Sequence, residues 1–253
     1  MTKMPREIPI VEAGVTIHDV SFEETVALIV EWAREGSGGY VSTPNVDHLI
    51  RAKRDPDFRG LVMGARLRIP DGMGLIYGSR LGGTRFRGAV TGRLLPEAIV
   101  RVTQTQPLPI AIIGGRGDAP AKAAEWLNAM GGNVVAAVGP RMGFAVGGDE
   151  DMAIVARFKE AAPRIVLVGF GAPKQETWMA RHRSDLPQAV MLGIGQAIDI
   201  LGGMVPAAPR WMTRVGLEWA FRMLRDPRRI GRRVFIDDPP FFWWMLKARL
   251  RHR

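Results

Sequence analysis

Short runs of apolar residues alternate along the chain with longer segments in which apolar positions recur every three or four residues. The short runs predict buried strands, and the longer segments predict helices with one apolar face. This alternation is typical of an α/β domain with a Rossmann-like, mostly parallel sheet flanked by helices. Strands are predicted at residues 40–43, 67–70, 110–113, 134–138, 165–168 and 190–194.

Helix starting signals place helices between these strands. Ser21 and Glu24 form a capping-box pattern, so a helix is expected from there to about Gly36. Asp226 and Pro227 end one helix in the last part of the chain and cap the next one. The other predicted helices begin near residue 45 or 47 and near residue 91, or span residues 120–130, 151–161 and 173–183.

Polar loops follow the predicted strands, at the edge where open α/β sheets bind ligands. Asp71 directly follows an apolar strand, where partial desolvation suits a carboxylate to act as a general base. The pattern alone favours the other interpretation, in which Asp71 is the N-cap of the helix after Gly72. Thr43 and Asn45 offer hydroxyl and amide groups to a substrate, but Thr-Pro-Asn is also good turn chemistry, and the pattern alone favours the turn.

Two glycine-rich loops are candidates for binding a nucleotide diphosphate. In residues 169–176, glycine allows close backbone approach, and Pro173 is expected to begin a helix whose free N–H groups suit phosphate. Residues 114–118 form a second candidate loop, for which a plain strand-to-helix turn is an equal alternative. The predicted nucleotide contacts are Gly114, Gly115, Gly171 and Asp199.

Candidate metal ligands are poor. The four histidines have no ligand spacing. Two Asp-x-Asp patterns, at residues 55–57 and 149–151, are able to hold the divalent cation of a nucleotide diphosphate. Both patterns fall where helices begin, so N-capping is the favoured interpretation. We therefore predict no metal site and no cofactor.

The positive charge of the chain is concentrated in its last part. Residues 210–253 contain twelve Arg or Lys and four Asp or Glu, a net charge of +8, within a total of +10. Trp211, Val215, Trp219 and Met223 form a helical apolar stripe there, and residues 241–246 form an apolar block. Basic residues interleaved with tryptophan and phenylalanine favour an anionic membrane surface or phosphate. The alternative is a solvated helix that packs on the domain through its tryptophans.

Composition excludes several classes of protein. The chain has no cysteine, which removes disulfides and thiolate chemistry. It has neither a run of about 20 apolar residues for a spanning helix nor the pattern of a signal peptide. We predict an α/β core over residues 1–203 and a basic, Trp-rich helical appendage over residues 204–253 that reaches the membrane and completes the active site.

Five motifs in a fixed order resemble the WecG/TagA/CpsF family of bacterial glycosyltransferases. They cover residues 43–45, 69–74, 90–92, 169–176 and 216–222, within a resemblance that spans residues 15–233. The resemblance implies the inverting transfer of a sugar from a UDP-sugar to a polyprenyl-diphosphate-linked saccharide. It also implies a role in cell-surface polysaccharide synthesis, at the cytoplasmic face of the membrane and without a metal.

Matching positions in the motifs imply the site residues. The resemblance implies that Asp71 is the catalytic base. The implied substrate contacts are Thr43, Asn45, Thr91 and Gln175 in the core, with Arg222, Arg229 and Arg232 of the appendage around the diphosphate. One departure is Ala89, where many members carry arginine. Either Arg85 or Arg87 supplies that charge, or the donor is handled differently.

Two other classes of function stay open beside the glycosyltransferase. A nucleotide-sugar-modifying enzyme without a lipid acceptor leaves the basic appendage unexplained. A basic nucleic-acid-binding protein lacks any recognised motif here. We favour the glycosyltransferase, with a UDP-sugar, a lipid-linked acceptor and an anionic membrane surface as partners, and with no nucleic acid. The donor sugar, the acceptor glycan and assembly into a homo-oligomer are left open.

Overall fold

The computed structural model describes residues 3–141, 143–209, 212 and 217–251 of the chain. Its strands are β1 Glu7–Ile10, β2 Val15–His18, β3 Gly39–Ser42, β4 Leu67–Arg68, β5 Pro109–Gly114, β6 Asn133–Val138, β7 Ile165–Gly169 and β8 Val190–Gly193. The last six form one sheet in the order β4-β3-β8-β7-β5-β6, and every neighbouring pair is parallel. The predicted α/β class with a parallel sheet is confirmed.

Helices flank this sheet and form the last part of the chain. Those of the sheet region are α1 Phe22–Glu35, α2 Val46–Arg54, α3 Pro56–Met63, α4 Met73–Leu81, α5 Leu95–Thr103, α6 Ala119–Ala129, α7 Asp149–Ala161, α8 Lys174–His182 and α9 Ala197–Leu201. The later ones are α10 Glu218–Arg225, α11 Pro227–Arg232 and α12 Pro239–Arg251, with a π-helical turn at Arg233–Asp237. Short 3-10 turns lie at Val11–Ala13 and Gly92–Leu94.

The predicted helix signals act as expected. Ser21 Oγ accepts from the backbone N–H of Glu24 at 3.1 Å, and Glu24 returns the bond to Ser21 N at 2.9 Å. Gly36 ends α1 in the left-handed conformation, with φ of 65°. The break between α10 and α11 falls at Asp226, as predicted. The apolar stripe expected before it lies partly outside the described residues, since Trp211 and Val215 are not described.

Strand side chains alternate between two buried layers. On β5, Ile110 and Ile112 pack with α1, α5 and α6 on one side of the sheet. Ala111 and Ile113 of the same strand pack with α7 and α8 on the other side. Both faces of this strand are buried, which explains why it appears in the sequence as a continuous apolar run. The loops at its carboxyl end therefore project from a rigid base.

An antiparallel hairpin, β1 with β2, precedes the sheet and was not predicted. Arg68, at the end of β4, connects this hairpin to the sheet. Its side chain is only 6% exposed, so its charge is buried. Its guanidinium donates to Glu7 Oε1 at 2.6 Å and to the carbonyl oxygen of Thr16 at 2.7 Å. These charge-assisted bonds satisfy a buried cation that the apolar pattern alone does not predict.

The structure corrects the expectation for the apolar block at residues 241–246. Phe241 is fully buried, and Met245 is buried with it, in a cluster with side chains of α2 and α4. Gly78 of α4 and Gly82, the C-cap residue of that helix, make room for them, because a Cβ at either glycine would collide with Phe241 or Met245. Phe241 and Met245 therefore stabilise the domain and are not available to a membrane, whereas Trp243 is 56% exposed.

Candidate active site

The loops after β3 and β4 lie side by side because these strands are neighbours in the sheet. The backbone N–H of Asp71 donates to the carbonyl oxygen of Pro44 at 2.9 Å. The N–H of Val90 donates to the carbonyl oxygen of Pro70 at 2.7 Å. The predicted residues Asp71, Asn45 and Thr91, which are far apart in sequence, are thereby held on loops at one edge of the sheet.

Asp71 is half-buried and does not begin the helix that follows it. Gly72, with φ of 82°, occupies the N-cap position of α4. The interpretation of Asp71 as the helix cap is therefore wrong by one residue. A positive φ is inexpensive for glycine, so the chain turns sharply here, directly after Asp71.

Thr43 has a structural bond in addition to its predicted role. Its buried hydroxyl donates to the carbonyl oxygen of Gly193 at 3.0 Å, which ties the loop after β3 to the end of β8. A Cβ on Gly92 would lie 3.1 Å from Thr43 Cγ2, so the loop that carries Thr91 packs closely on Thr43. Thr91 itself is half-buried at the start of the 3-10 turn.

Asn45 and Gln175 are the two amide side chains predicted for the site, and both are hydrogen-bonded within the protein. Asn45 is the N-cap of α2, with its Oδ1 accepting from the N–H of His48 at 3.3 Å. Gln175 is 3% exposed, and its Oε1 accepts from the N–H of Gly195 at 3.1 Å. His48 and Glu176 connect the two amides, and the sequence analysis did not predict either of them. The position of His48, three residues after the cap Asn45, is the sequence feature that could have indicated its role.

A cavity of about 610 Å³ lies farther along the same edge, beyond β8, β7 and β5. Three of the four predicted nucleotide contacts line it, namely Gly115, Gly171 and Asp199. Gly114 lies behind it, where a Cβ would come within 2.7 Å of the Gly169 backbone. Asp199 Oδ1 accepts from the N–H of Arg116 at 2.7 Å, which orders the loop before α6.

The cavity also presents cations and an aromatic pair. Its lining includes Arg116, Arg141 and Lys174. Lys174 Nζ lies 4.6 Å from the ring centroid of Phe144 and 5.2 Å from that of Phe170, and the two rings stack at 5.2 Å. Lys174 follows the N-cap Pro173 in α8, one residue later than the predicted start. Basic side chains beside aromatic faces suit a phosphate and a flat base.

One aspartate of each Asp-x-Asp pattern has a hydrogen-bonding role within the fold. Asp55 is the N-cap of α3 and accepts from the backbone of Asp57, as the capping interpretation predicted. At the second pattern, Gly148 is the N-cap of α7, and the fully buried Asp151 binds Trp178 and His182 instead. Among the described residues, no group of three or more His, Asp or Glu side chains is arranged to hold a metal.

The appendage touches the site through α10. Arg93, two residues after Thr91, forms an ion pair with Glu218 at 3.1 Å, with side chains 11% and 19% exposed. Arg232 is 74% exposed and lies 3.9 Å from Asp237. The side chains of Arg222 and Arg229 lie outside what the structure describes. Arg87, a candidate replacement for the charge absent at Ala89, is paired with Glu24.

A parallel sheet with polar loops and a cavity beyond the carboxyl ends of its strands is the arrangement of α/β proteins that bind nucleotides. The profile described as "Glycosyl transferase WecG/TagA/CpsF family" matches residues 10–253, and the chain belongs to this family. It is therefore a glycosyltransferase of cell-surface polysaccharide synthesis, acting with a nucleotide-sugar donor and a sugar acceptor. None of the described helices combines the length and apolar character needed to cross a bilayer.

Proposed function

We propose that this protein is an inverting, metal-independent hexosyltransferase that moves a sugar from a UDP-sugar to a polyprenyl-diphosphate-linked saccharide. The observation that supports this most directly is the position of two features along one edge of the sheet. Asp71 and its neighbouring loops lie beyond β4 and β3, and the cationic cavity lies beyond β8, β7 and β5. A base on one side and a nucleotide site on the other leave the reacting sugar between them.

In this proposal the cavity holds the UDP part of the donor. Residues 115–117 line the cavity just before α6, and glycine at positions 115 and 117 allows the diphosphate to approach the backbone closely. The N–H groups of Gly115 and Arg116 hold this loop in place by donating to Gly169 and Asp199. Lys174, Arg116 and Arg141 supply positive charge there. The stacked rings of Phe144 and Phe170 provide an apolar wall for the base. Charge on the leaving diphosphate is then stabilised by these cationic side chains, without a metal.

Asp71 acts as the general base. Its carboxylate accepts the proton of an acceptor hydroxyl, whose oxygen attacks the anomeric carbon of the donor from the face opposite UDP. The bond from that carbon to the UDP oxygen breaks, and the configuration of the sugar is inverted. Thr91 and Asn45 lie on the neighbouring loops, and Gln175 lies in the first turn of α8. All three are proposed to orient the sugars.

The appendage, residues 204–253, is proposed to bring the enzyme to the anionic cytoplasmic face of the membrane. Among the described residues of the appendage, five large apolar side chains are more than half exposed: Leu224, Phe235, Ile236, Trp243 and Leu250. Exposed cations lie on α10, α11 and α12 and include Arg225, Arg228, Lys247 and Arg249. Each basic residue near an anionic leaflet contributes about 1 kcal/mol. Arg222, Arg229 and Arg232 are proposed to close over the diphosphate from this side.

A donor and acceptor screen tests the function. The purified protein is incubated with each of several UDP-sugars and with an acceptor saccharide on polyprenyl diphosphate, on diphosphate alone or on no carrier. We expect UDP release and transfer only with the lipid-linked acceptor, and an inverted anomeric configuration in the product. Transfer with retained configuration, or equal transfer to the carrier-free saccharide, contradicts the proposal.

Two variants test the base. Asp71→Asn should lower turnover by about 10²-fold or more while UDP still binds, because only the proton acceptor is removed. Asp57→Asn is the matched control, since Asp57 is an exposed carboxylate on α3 away from the cavity, and it should keep normal turnover. Near-normal turnover of Asp71→Asn contradicts the assignment of Asp71 as the general base.

A further inference from the structure

A buried chain of hydrogen bonds connects the two amide side chains of the site. Asn45 Oδ1 lies 3.0 Å from His48 Nδ1, and His48 Nε2 lies 3.3 Å from Glu176 Oε1. Glu176 Oε1 also accepts from Gln175 Nε2 at 2.9 Å. His48 is 6% exposed and Glu176 is fully buried. The chain thus runs from the start of α2 to the start of α8, underneath the loops of the proposed active site.

The first part of this chain sets the orientation of Asn45. The backbone N–H of His48 is a donor that cannot change its role, so the atom of Asn45 that faces it is the oxygen Oδ1. His48 Nδ1 faces the same oxygen and must therefore carry a hydrogen. The Nδ2 group of Asn45, with two hydrogens to donate, is directed away from the start of α2.

The second part sets the charge of His48. Among the described residues, Glu176 forms an ion pair with His48 alone. The second carboxylate oxygen, Oε2, is buried and has no hydrogen-bond partner there. A buried carboxylate needs a compensating positive charge. If Nε2 carried no hydrogen, its lone pair would face the carboxylate. A hydrogen on each ring nitrogen makes His48 a cation, which supplies the positive charge that the buried carboxylate needs.

We propose that His48 is an imidazolium held by Glu176, and that this pair positions Asn45 and Gln175 for substrate binding. Asn45 Nδ2 then donates to an oxygen of a sugar, and Gln175 is locked between Glu176 and Gly195. The part concerning the sugar rests on the glycosyltransferase function proposed above. His48 and Glu176 act through the amides, so they are positioning residues.

Nitrogen NMR of the full-length protein, labelled with ¹⁵N-histidine, tests the charge at pH 7 without any substrate. Two other buried histidines are internal references. His18 Nδ1 accepts from the backbone N–H of Arg68 at 3.0 Å, and burial lowers its pKa, so it should be neutral. His182 has Asp151 at 2.8 Å and Asp185 at 2.9 Å on its two nitrogens, so it should carry both hydrogens.

We expect the His48 signals to match those of His182, with hydrogens on both nitrogens. In Glu176→Gln, which keeps the size of the side chain, His48 should lose the Nε2 hydrogen at pH 7 while the His182 signals stay unchanged. A neutral His48 in the unmodified protein, or a doubly protonated His48 in Glu176→Gln, overturns the proposal. The NMR experiment does not depend on enzymatic activity. If the protein is inactive on every donor, the proposed function is refuted, and the NMR spectrum still decides whether His48 and Glu176 form the charged pair.

The activity arm uses Asn45→Asp. Aspartate caps a helix as well as asparagine does, so α2 and the melting temperature should be preserved. The variant replaces the Nδ2 donor by an acceptor, and turnover should fall by at least about 10-fold. Glu176→Gln should lower turnover by about 10- to 100-fold, because a displaced contact of about 1 Å has that cost. Normal turnover in Asn45→Asp shows that no sugar accepts a hydrogen bond from Asn45. That result overturns the proposed positioning role of His48 and Glu176.

Discussion

The ion pair between Arg93 and Glu218 is predicted to hold the appendage on the core. Arg93 follows the loop that carries Thr91, and Glu218 begins α10. Breaking this pair should therefore loosen α10 while the sheet remains intact. The perturbation is a double-mutant cycle with Arg93→Met and Glu218→Gln, which remove the charges and keep most of the volume.

The distance and burial of the pair give the expected magnitude of the coupling free energy between Arg93 and Glu218. At 3.1 Å and an effective dielectric constant of about 20, the Coulomb attraction is about 5 kcal/mol before the costs of desolvation and side-chain ordering. The side chains are 11% and 19% exposed, so water screens the pair less than it screens a surface pair. After those costs we expect a coupling of about 1–3 kcal/mol, which is the range of charged hydrogen bonds that are partly buried.

Hydrogen exchange of the amides in α10 measures this coupling, because exchange reports the free energy of local opening. Each single variant should speed exchange by about 5- to 150-fold, the factor that corresponds to 1–3 kcal/mol. The double variant should exchange no faster than the single ones. Arg87 and Glu24 provide the control pair: they lie 2.6 Å apart but are 48% and 47% exposed. Their coupling, read from α1, should be clearly smaller, because water screens both exposed side chains.

Two results would refute this reasoning. One is a coupling between Arg93 and Glu218 below about 0.5 kcal/mol, which is the usual error of additivity. The other is a coupling equal to that of the control pair, which would mean that partial burial adds nothing. In either case the appendage is held by its apolar contacts, such as those of Phe241 with α4.

Three further predictions follow from the structure. Phe241→Ala should lower the free energy of unfolding by about 3–5 kcal/mol in a denaturant titration, because its ring is fully buried. Trp243→Ala should leave stability nearly unchanged and weaken binding to anionic vesicles, because its ring is exposed. The reverse pattern contradicts the placement of these two rings. Turnover should survive excess EDTA, and loss with rescue by magnesium or manganese would point to a metal. Asp185 has its pKa lowered by Lys159 and next by His182, so its contribution is present above the ordinary aspartate pKa and is lost as pH falls through the folded value. The stability gap between the unmodified protein and Asp185→Asn should therefore shrink below about pH 4, and a gap that is constant with pH excludes this contribution.

Much of the architecture could be predicted from the amino-acid order because local signals and the global fold agree. The apolar run at residues 110–113 is β5, and the capping box at Ser21 and Glu24 begins α1. The break at Asp226 separates two helices. Each of these depends on periodicity or on a bond between near neighbours, which a linear pattern contains. The family motifs added the expectation of a base at Asp71 and a substrate contact at Asn45, and both remain predictions.

Only the tertiary structure decided which partner each polar or apolar group meets. Phe241 belongs to an apolar block that suits a membrane, yet Gly78, more than 160 positions earlier, makes room for it in the core. Asp151 is in a pattern that suits a metal, yet it is buried against Trp178 and His182. The meeting of His48 with Glu176 depends on how α2 and α8 pack. Such contacts join residues distant in sequence, and neither composition nor periodicity specifies them, because both describe one segment at a time.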